Sequence, residues 1–527
     1  MDFKQLTPCL FVGPQLRPHD MEEIVQAGFR SVICNRPDGE SDDQPAAETI
    51  KAAASEAGLS FAHVPVIAGS PTEADAAAMR AALEALPTPI LAYCRSGARS
   101  EKLAHMAAAL EQAALGDYDI LIIGGGSAGI ATAASILKRR RDVRLAIVEP
   151  SDDHYYQPGW TMVGAGIFDS GFTRRAEATL IPDGAHWIKA AVETFHPDSK
   201  MVALSDGRRI GYRVLVVAPG IKLDWDAIPG LTDTLGRNGV TSNYRYDLAP
   251  YTDRLARAFK GGRALFTQPA MPIKCAGAPQ KAMYLSCHRW EKAGVLAKSD
   301  VQFHAAGAVL FGVPAYVPAL MDYIGRYGIN LNFGSTLVAV DGPARTAIFE
   351  RADGDGVKRV TERFDMIHVV PPQVAPDFIR TSPLASASGF VEVDEASLRH
   401  PRYPDIFALG DACSTSNAKT AAAARKQAPV VAVNALAALE GAAPVAAYDG
   451  YGSCPLTVEA GKIVLAEFGY GGALLPSFPD WLIKGTRPSR LSWLLKRRIL
   501  PQLYWRGMLK GREGMAKPQA IDANEKP

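Results

Sequence analysis

Short apolar runs alternate with helically spaced apolar positions over residues 1–112. The runs at 9–12, 31–34, 61–66 and 90–93 predict strands, and the stretches at 19–27, 46–57, 72–86 and 99–111 predict helices. Alternation at this spacing implies a small α/β unit with a mostly parallel sheet. The pattern restarts at Asp119-Ile-Leu-Ile-Ile123, which runs into Gly124-Gly-Gly-Ser-Ala-Gly129 and then an Ala-rich helical stretch to Arg139. A further apolar run, 143–148, ends at Glu149. Two more strands, at 212–217 and 403–408, end in Ala218-Pro-Gly220 and in Asp411.

A strand that delivers G-x-G-x-x-G into a helix brings backbone N–H groups and the positive helix end up to a pyrophosphate. Gly124, Gly126 and Gly129 supply the turn, with Ser127 and Ala128 between them, and Glu149 stands about 20–25 residues on, where a carboxylate meets a ribose hydroxyl. A dinucleotide is therefore expected. The strand at 263–267 carries no second glycine turn but continues to Lys274-Cys-Ala-Gly-Ala-Pro-Gln-Lys281, which argues against a nicotinamide as reductant.

Composition narrows the classes. A chain of 527 residues with a formal charge of +2 can bury a large core and is not a nucleic-acid binder with a basic surface. Seven cysteines spread over the length do not form a secreted disulfide framework. The N-terminal residues lack an apolar signal core, no run of about 18 apolar residues occurs, and no metal cluster stands out. A reducing cytosol is the expected setting, so a cysteine pair would be catalytic. Cys9 and Cys34, in apolar runs, are expected in the core.

The strand at 90–93 delivers Cys94-Arg-Ser-Gly-Ala-Arg-Ser100 into a helix. Loop N–H groups, a helix N-terminus, Arg95 and Arg99 should lower the thiol pKa. Cysteine phosphatases place the arginine one position later. The loop resembles that of rhodanese-type sulfurtransferases, and the unit resembles a small bacterial family joining a tyrosine-phosphatase-like fold to such a loop. Sulfur transfer is favoured over phosphoester hydrolysis or an inactive remnant; a phosphatase would need a general acid, for which Asp38 and Asp75 are the candidates.

His154-Tyr-Tyr-Gln-Pro-Gly-Trp160, Ala218-Pro-Gly220 and the strand to Asp411 resemble two-dinucleotide-domain flavoproteins, which makes FAD the expected cofactor. Lys274 to Lys281, Tyr451-Gly-Ser-Cys-Pro-Leu456, Asn243-Tyr244, Val369-Val-Pro-Pro372 and Lys419-Thr-Ala-Ala-Ala423 closely resemble sulfide:quinone oxidoreductase, from about residue 117 to 512. The resemblance implies that Cys275 and Cys454 are the redox pair, with the persulfide on Cys454 and the flavin-facing thiolate on Cys275. It also implies that Ser127, Ala128, Glu149, Gln157, Val192 and Lys419 contact FAD. Cys413 is the rival pair member. Lys419 would stabilise the reduced ring near its C2 carbonyl. Phe311 and Tyr316 either wall a quinone pocket or pack the middle domain.

Residues 484–512 hold nine basic side chains and no acidic one, interleaved with Trp481, Leu491, Trp493, Ile499, Tyr504 and Trp505. This composition suits a helix in a membrane interface, and Pro501 should split it. The expected organisation is α/β throughout: a phosphatase-like domain at 1–114, an oxidoreductase body at 115–480, an amphipathic membrane-associated tail at 481–515 and a disordered end at 516–527. Tandem Rossmann-type domains form the body, FAD on 115–240 and 380–450 and a middle domain on 241–379. The expected partners are sulfide, a quinone, a thiol or sulfite that accepts sulfur, membrane lipid on the cytoplasmic side, and a second copy of the chain. The competing readings are a type II NADH:quinone dehydrogenase with a cysteine-dependent phosphatase domain, and a membrane-bound flavin redox sensor.

Overall fold

The computed structural model describes residues 3–115, 117–353 and 356–521, with side chains omitted for 109–115. The chain divides into two compact units, Met1–Tyr118 with Ala190–Tyr212, and Asp119–Lys189 with Arg213–Pro527.

In the first unit the strands follow the order Lys4–Thr7, Leu10–Gly13, Ile90–Tyr93, Ser31–Cys34, Ser60–His63. Only the first pair is antiparallel; the others are parallel. Ser31–Cys34 and Ile90–Tyr93 are buried along their whole length because helices cover both faces of the sheet. The strand Ile90–Tyr93 leads directly to Cys94, and the helix Ala98–Leu115 starts just beyond. Cys34 is in the core, but Cys9 is exposed: it lies in the turn of the antiparallel pair rather than in the following strand, which starts at Leu10. Residues 190–212 contribute the hairpin Val192–His196 with Met201–Leu204, where Val192 pairs with Leu204.

The second unit holds two parallel sheets. In the first, Ala185–Ile188, Leu145–Val148 and Tyr118–Ile123 lie side by side, and Arg209–Val217 pairs with Ile406–Ala408. In the other, the order is Val240–Thr241, Met366–His368, Gly262–Gln268, Ser299–Ala305, Asn330–Phe333. The helix Ala278–Lys292 packs Met283, Tyr284, Cys287 and Trp290 into a core shared with Phe266, Phe303 and the hairpin residues Cys454, Leu456 and Val458. Phe311 and Tyr316 belong to this core, and the Tyr316 hydroxyl donates to the Glu467 carbonyl at 2.9 Å. They pack the domain.

The C-terminal segment departs from expectation. Helical backbone runs without interruption from Arg490 to Lys510, so Pro501 does not split it. Leu495–Ile499 and Leu503–Gly507 are π-helical, and the wider turns absorb the missing proline N–H. Lys496, Tyr504, Trp505, Met508 and Leu509 are buried, whereas Trp481, Leu491, Leu494 and Ile499 are exposed. Only part of the apolar set is free for a membrane. Gln519–Ala520 pairs with Ala446–Ala447, so the expected disorder does not hold for these residues; 522–527 lie outside the described residues. No helix among the described residues is long and apolar enough to cross a membrane.

Candidate active site

The strand Gly262–Gln268 hands the chain to a loop that ends at Cys275, just before the helix Ala278–Lys292. Cys275 is held at φ 52°, a left-handed conformation that costs a residue with a Cβ about 1–3 kcal/mol. Its N–H donates to the Lys419 carbonyl at 2.8 Å, and its carbonyl accepts the Ala278 N–H at 2.7 Å. Tyr244 adds its hydroxyl to the Lys274 carbonyl at 3.1 Å. Cys454 arrives from the strand Gly452–Glu459, whose alternation turns Cys454, Leu456 and Val458 to one buried side.

The two sulfurs lie 3.7 Å apart. This is longer than the roughly 2.05 Å of a disulfide, within reach of a small side-chain rotation. Gly277 is required here: a Cβ on it would meet Cys454 Sγ at 2.6 Å and collide with Leu456 Cδ2. Gly277→Ala should push the sulfurs apart and cost about 1–3 kcal/mol by overpacking. A lowered melting temperature together with slowed disulfide formation checks this.

A buried ammonium polarises the pair. Lys281 Nζ donates to Cys275 Sγ at 3.0 Å and reaches Cys454 Sγ at 3.9 Å. The hydrogen bond from Cys454 and the Lys281 charge outweigh burial and hold the Cys275 thiol well below its ordinary pKa. Cys454, as the donor in that bond and buried, is pushed well above it. Burial would discharge Lys281, but the two sulfurs raise it instead. Lys496, from the C-terminal helix, adds positive charge to the same pair; burial and Lys281 bring it down to about 7. The Cys413 thiol, by contrast, donates to the Gly410 carbonyl at 3.2 Å and lies 3.1 Å from Thr415 Oγ1. Burial pushes the Cys287 thiol up, which makes it inert.

The glycine turn is built for close approach. A Cβ on Gly124 would meet the Ala218 carbonyl at 2.6 Å, and one on Gly129 would overlap the Gly124 carbonyl, whereas the space at Gly126 is open. Glu149 accepts the Gly125 and Ser151 N–H groups, both at 2.8 Å. Ala128 is packed near Gly410, which brings Asp411 to the same end of the helix Ser127–Arg139. Burial raises the Asp411 carboxyl against the opposing charges of Lys419 and Lys274. Open space beside Gly126, the uncapped first turn at Ser127 and a buried carboxylate fit an FAD, which would lie along Gly124–Gly129, Glu149 and Asp411. Gln157 accepts a hydrogen bond from Lys274 Nζ at 2.6 Å. The Lys419 ammonium is engaged by the Asp411 carbonyl at 3.0 Å and the Cys413 carbonyl at 2.8 Å. Val192 starts a strand of the other unit.

Three residues here were not assigned from sequence. His154 shares a hydrogen bond with the Tyr504 hydroxyl at 2.6 Å and meets Glu177 at 3.1 Å through its other ring nitrogen. Tyr504 also lies 2.6 Å from Ser127 Oγ. His154 stood inside an aromatic motif, but nothing in the local pattern ties it to a residue 350 positions later.

The first unit carries a separate site. Burial would raise the Cys94 pKa, but the backbone N–H groups of Ser100, Ser96 and Arg99 and the Ser100 hydroxyl outweigh it and lower it. The Arg99 guanidinium is turned to Glu40 at 2.6 Å and to the Val66 carbonyl at 2.8 Å. Its charge is thus partly answered by Glu40, which also binds Arg36 at 2.7 Å. Asp38 accepts the Ala47 N–H and Asp75 caps its helix in a reciprocal box with Thr72, so both general-acid candidates serve helix starts.

A family model described as the phosphatase-like domain of beta-lactamase hydrolase-like protein matches residues 2–113. The "Beta-lactamase hydrolase-like protein" of Xylella fastidiosa is 36% identical over 100 residues, 19% of this chain and 23% of that protein. The "Sulfide:quinone oxidoreductase, mitochondrial" of Dictyostelium discoideum is 42% identical over 398 residues, 75% of this chain and 86% of that protein. This chain belongs to the sulfide:quinone oxidoreductase family. The solved structure of the sulfide:quinone oxidoreductase of Aquifex aeolicus shares the fold, with a TM-score of 0.63 at 18% identity, over 77% of this chain and 98% of that one. This sulfide:quinone oxidoreductase family member thus carries a phosphatase-like domain in front of its flavoprotein-type domains.

Proposed function

We propose that this protein oxidises sulfide to sulfane sulfur at the Cys275–Cys454 pair, with FAD as the electron carrier and a membrane quinone as the final acceptor. The observation that carries the reading is the pair of sulfurs 3.7 Å apart with a buried lysine 3.0 Å from one of them. In the oxidised pair, HS⁻ attacks Cys454 Sγ, the S–S bond breaks, and Cys275 leaves as a thiolate, giving a Cys454 persulfide. The direction follows from the asymmetry of the two thiols, because the sulfur with the lower pKa is the better leaving group. Lys281 neutralises the departing thiolate. A thiol or sulfite then takes the outer sulfur, and Cys454 is left reduced. Bound FAD supplies the two-electron acceptor that restores the disulfide and passes the electrons to the quinone.

With sulfite as acceptor, each sulfide and sulfite should give one thiosulfate and one reduced quinone. Absence of quinone reduction, with sulfide and sulfite both saturating, would count against the reading.

The exposed Trp481, Leu482, Leu491, Leu494 and Ile499, beside the exposed basic Lys484, Arg487, Arg490, Arg497 and Arg498, support docking on an anionic bilayer surface, where a quinone is available. The Dictyostelium relative is named as mitochondrial; for this chain the proposed setting is the cytoplasmic side of a membrane.

The first unit supports a sulfurtransferase role in which the Cys94 thiolate receives sulfane sulfur from a small persulfide. The lowered Cys94 pKa suits either reaction, and the two occupied aspartates favour sulfur transfer over phosphoester hydrolysis, which needs a general acid. Cys94→Ser should abolish sulfur transfer from thiosulfate to cyanide at this site and leave sulfide-dependent quinone reduction within about twofold, since thiolate chemistry at Cys275 is independent of it. Measuring both activities on one preparation checks the assignment.

A further inference from the structure

The C-terminal segment follows the helix Ser127–Arg139 from one end to the other. At its start, the Tyr504 hydroxyl lies 2.6 Å from Ser127 Oγ, beside the glycine turn, and 2.6 Å from His154 Nε2. Half-way along, Gly511 adopts φ 63° and approaches so closely that a Cβ on it would meet the Ala134 carbonyl at 2.7 Å. The Lys138 ammonium donates to the Gly511 carbonyl at 3.2 Å. At the far end, Glu513 accepts from Ser135 Oγ at 2.8 Å and forms an ion pair with Arg139. Arg425 Nη2 donates to the Glu513 carbonyl at 3.2 Å. Between these anchors Tyr504 packs on Tyr156 with ring centroids 4.7 Å apart, and the Arg175 guanidinium lies 4.2 Å from the Trp505 ring.

This arrangement exceeds what a membrane anchor needs. An exposed amphipathic helix has no reason to bury a tyrosine hydroxyl, a close glycine contact and a carboxylate on one helix of its own domain. All three anchors fall on the helix whose N-terminus receives the pyrophosphate. His154 Nδ1 lies 3.1 Å from the Gly125 carbonyl. With that nitrogen as donor, the ring holds the Tyr504 hydroxyl beside Ser127 and the open space at Gly126.

We propose that residues 504–513 are a strap belonging to the dinucleotide site. Tyr504 closes the phosphate end of the cradle as a further cofactor-binding residue, and Glu513 fixes the strap to the far end of the same helix. This rests on the reading of FAD as the cofactor. Linkage then requires that cofactor retention depends on the strap and that order in the strap depends on the cofactor.

The experiment measures FAD release from diluted holoenzyme by the rise of free-flavin fluorescence, alongside trypsin cleavage in 504–513, where Arg506, Lys510 and Arg512 are exposed. Tyr504→Phe, which leaves His154 Nε2 and Ser127 Oγ without the hydroxyl between them, should speed release by about tenfold, the cost of a buried acceptor left unpaired where the strap meets the turn. Glu513→Gln, far from the phosphates, should speed it several-fold. Cleavage at the three basic residues should be fast after FAD is released and suppressed when FAD is added back. Unchanged release in both variants, or cleavage equally fast with and without FAD, overturns the strap. A melting temperature lowered equally in holo- and apoprotein, with release unchanged, assigns the contacts to packing alone and overturns it as well. A purified chain that contains and takes up no FAD would instead contradict the cofactor reading on which the proposal rests.

Discussion

Cys275→Ala and Cys454→Ala should each lower sulfide-dependent quinone reduction by at least about a thousandfold, because residues that act as one chemical unit lose nearly everything when either is removed. The two variants should differ in what they retain. Cys275→Ala keeps Cys454, which is buried, lies 3.9 Å from Lys281 and lacks a partner for a disulfide. Cys454→Ala keeps the thiol that lies 3.0 Å from Lys281. Being less buried and closer to the ammonium, it should react faster with iodoacetamide than the thiol left in Cys275→Ala. Rates of alkylation, with the labelled peptide identified by mass spectrometry, check the asymmetry. Equal reactivity at the two positions would remove the reason for placing the persulfide on Cys454.

Lys281→Met should have the second-largest effect. An opposite charge within a few ångströms shifts a pKa by about 1–3 units, so its loss moves the Cys275 pKa back upward. The sign follows directly. A thiolate needed for turnover is present above its pKa, so the acid limb of the pH–rate profile should move to higher pH. At neutral pH the rate should fall by roughly tenfold or more, since a less stable leaving thiolate departs more slowly. Lys281→Arg should restore part of the rate, a rescue that methionine packing cannot give. Lys496 responds in the opposite sense. With its pKa near 7 it loses its charge as pH rises through neutrality, which withdraws support from the thiolate. Lys496→Met should therefore flatten the alkaline side of the same profile.

The dinucleotide turn was legible because its determinants are local: three glycines, a strand on either side and Glu149 all fall within one short stretch. The alternation of the first unit was legible for the same reason, whereas its strand order, set by long-range pairing, was not. The cysteine pair was legible only by resemblance, since Cys275 and Cys454 are 179 positions apart and nothing near either one names the other. Lys281 stood inside a quoted motif, yet its role depends on the helical turn that returns it to Cys275.

The C-terminal segment was the least legible part. Its composition reads as interfacial, but composition cannot say which of its aromatic residues a distant helix will bury. Tyr504 and Trp505 turn inward while Leu491, Leu494 and Ile499 stay outside, and the π-helical turns around Pro501 set which side chain faces which way. Cys9 is a smaller example: one position separates an exposed turn residue from the buried strand residue Leu10.

The most direct test of the central claim is anaerobic. Sulfide is added to the purified protein and the flavin spectrum is recorded, with NADH in a parallel cuvette. Rapid bleaching by sulfide, absent in Cys275→Ala and Cys454→Ala, with no bleaching by NADH, is the predicted result. Bleaching by NADH alone would contradict the account, make a nicotinamide the reductant, and leave the cysteine pair without a part in the reaction.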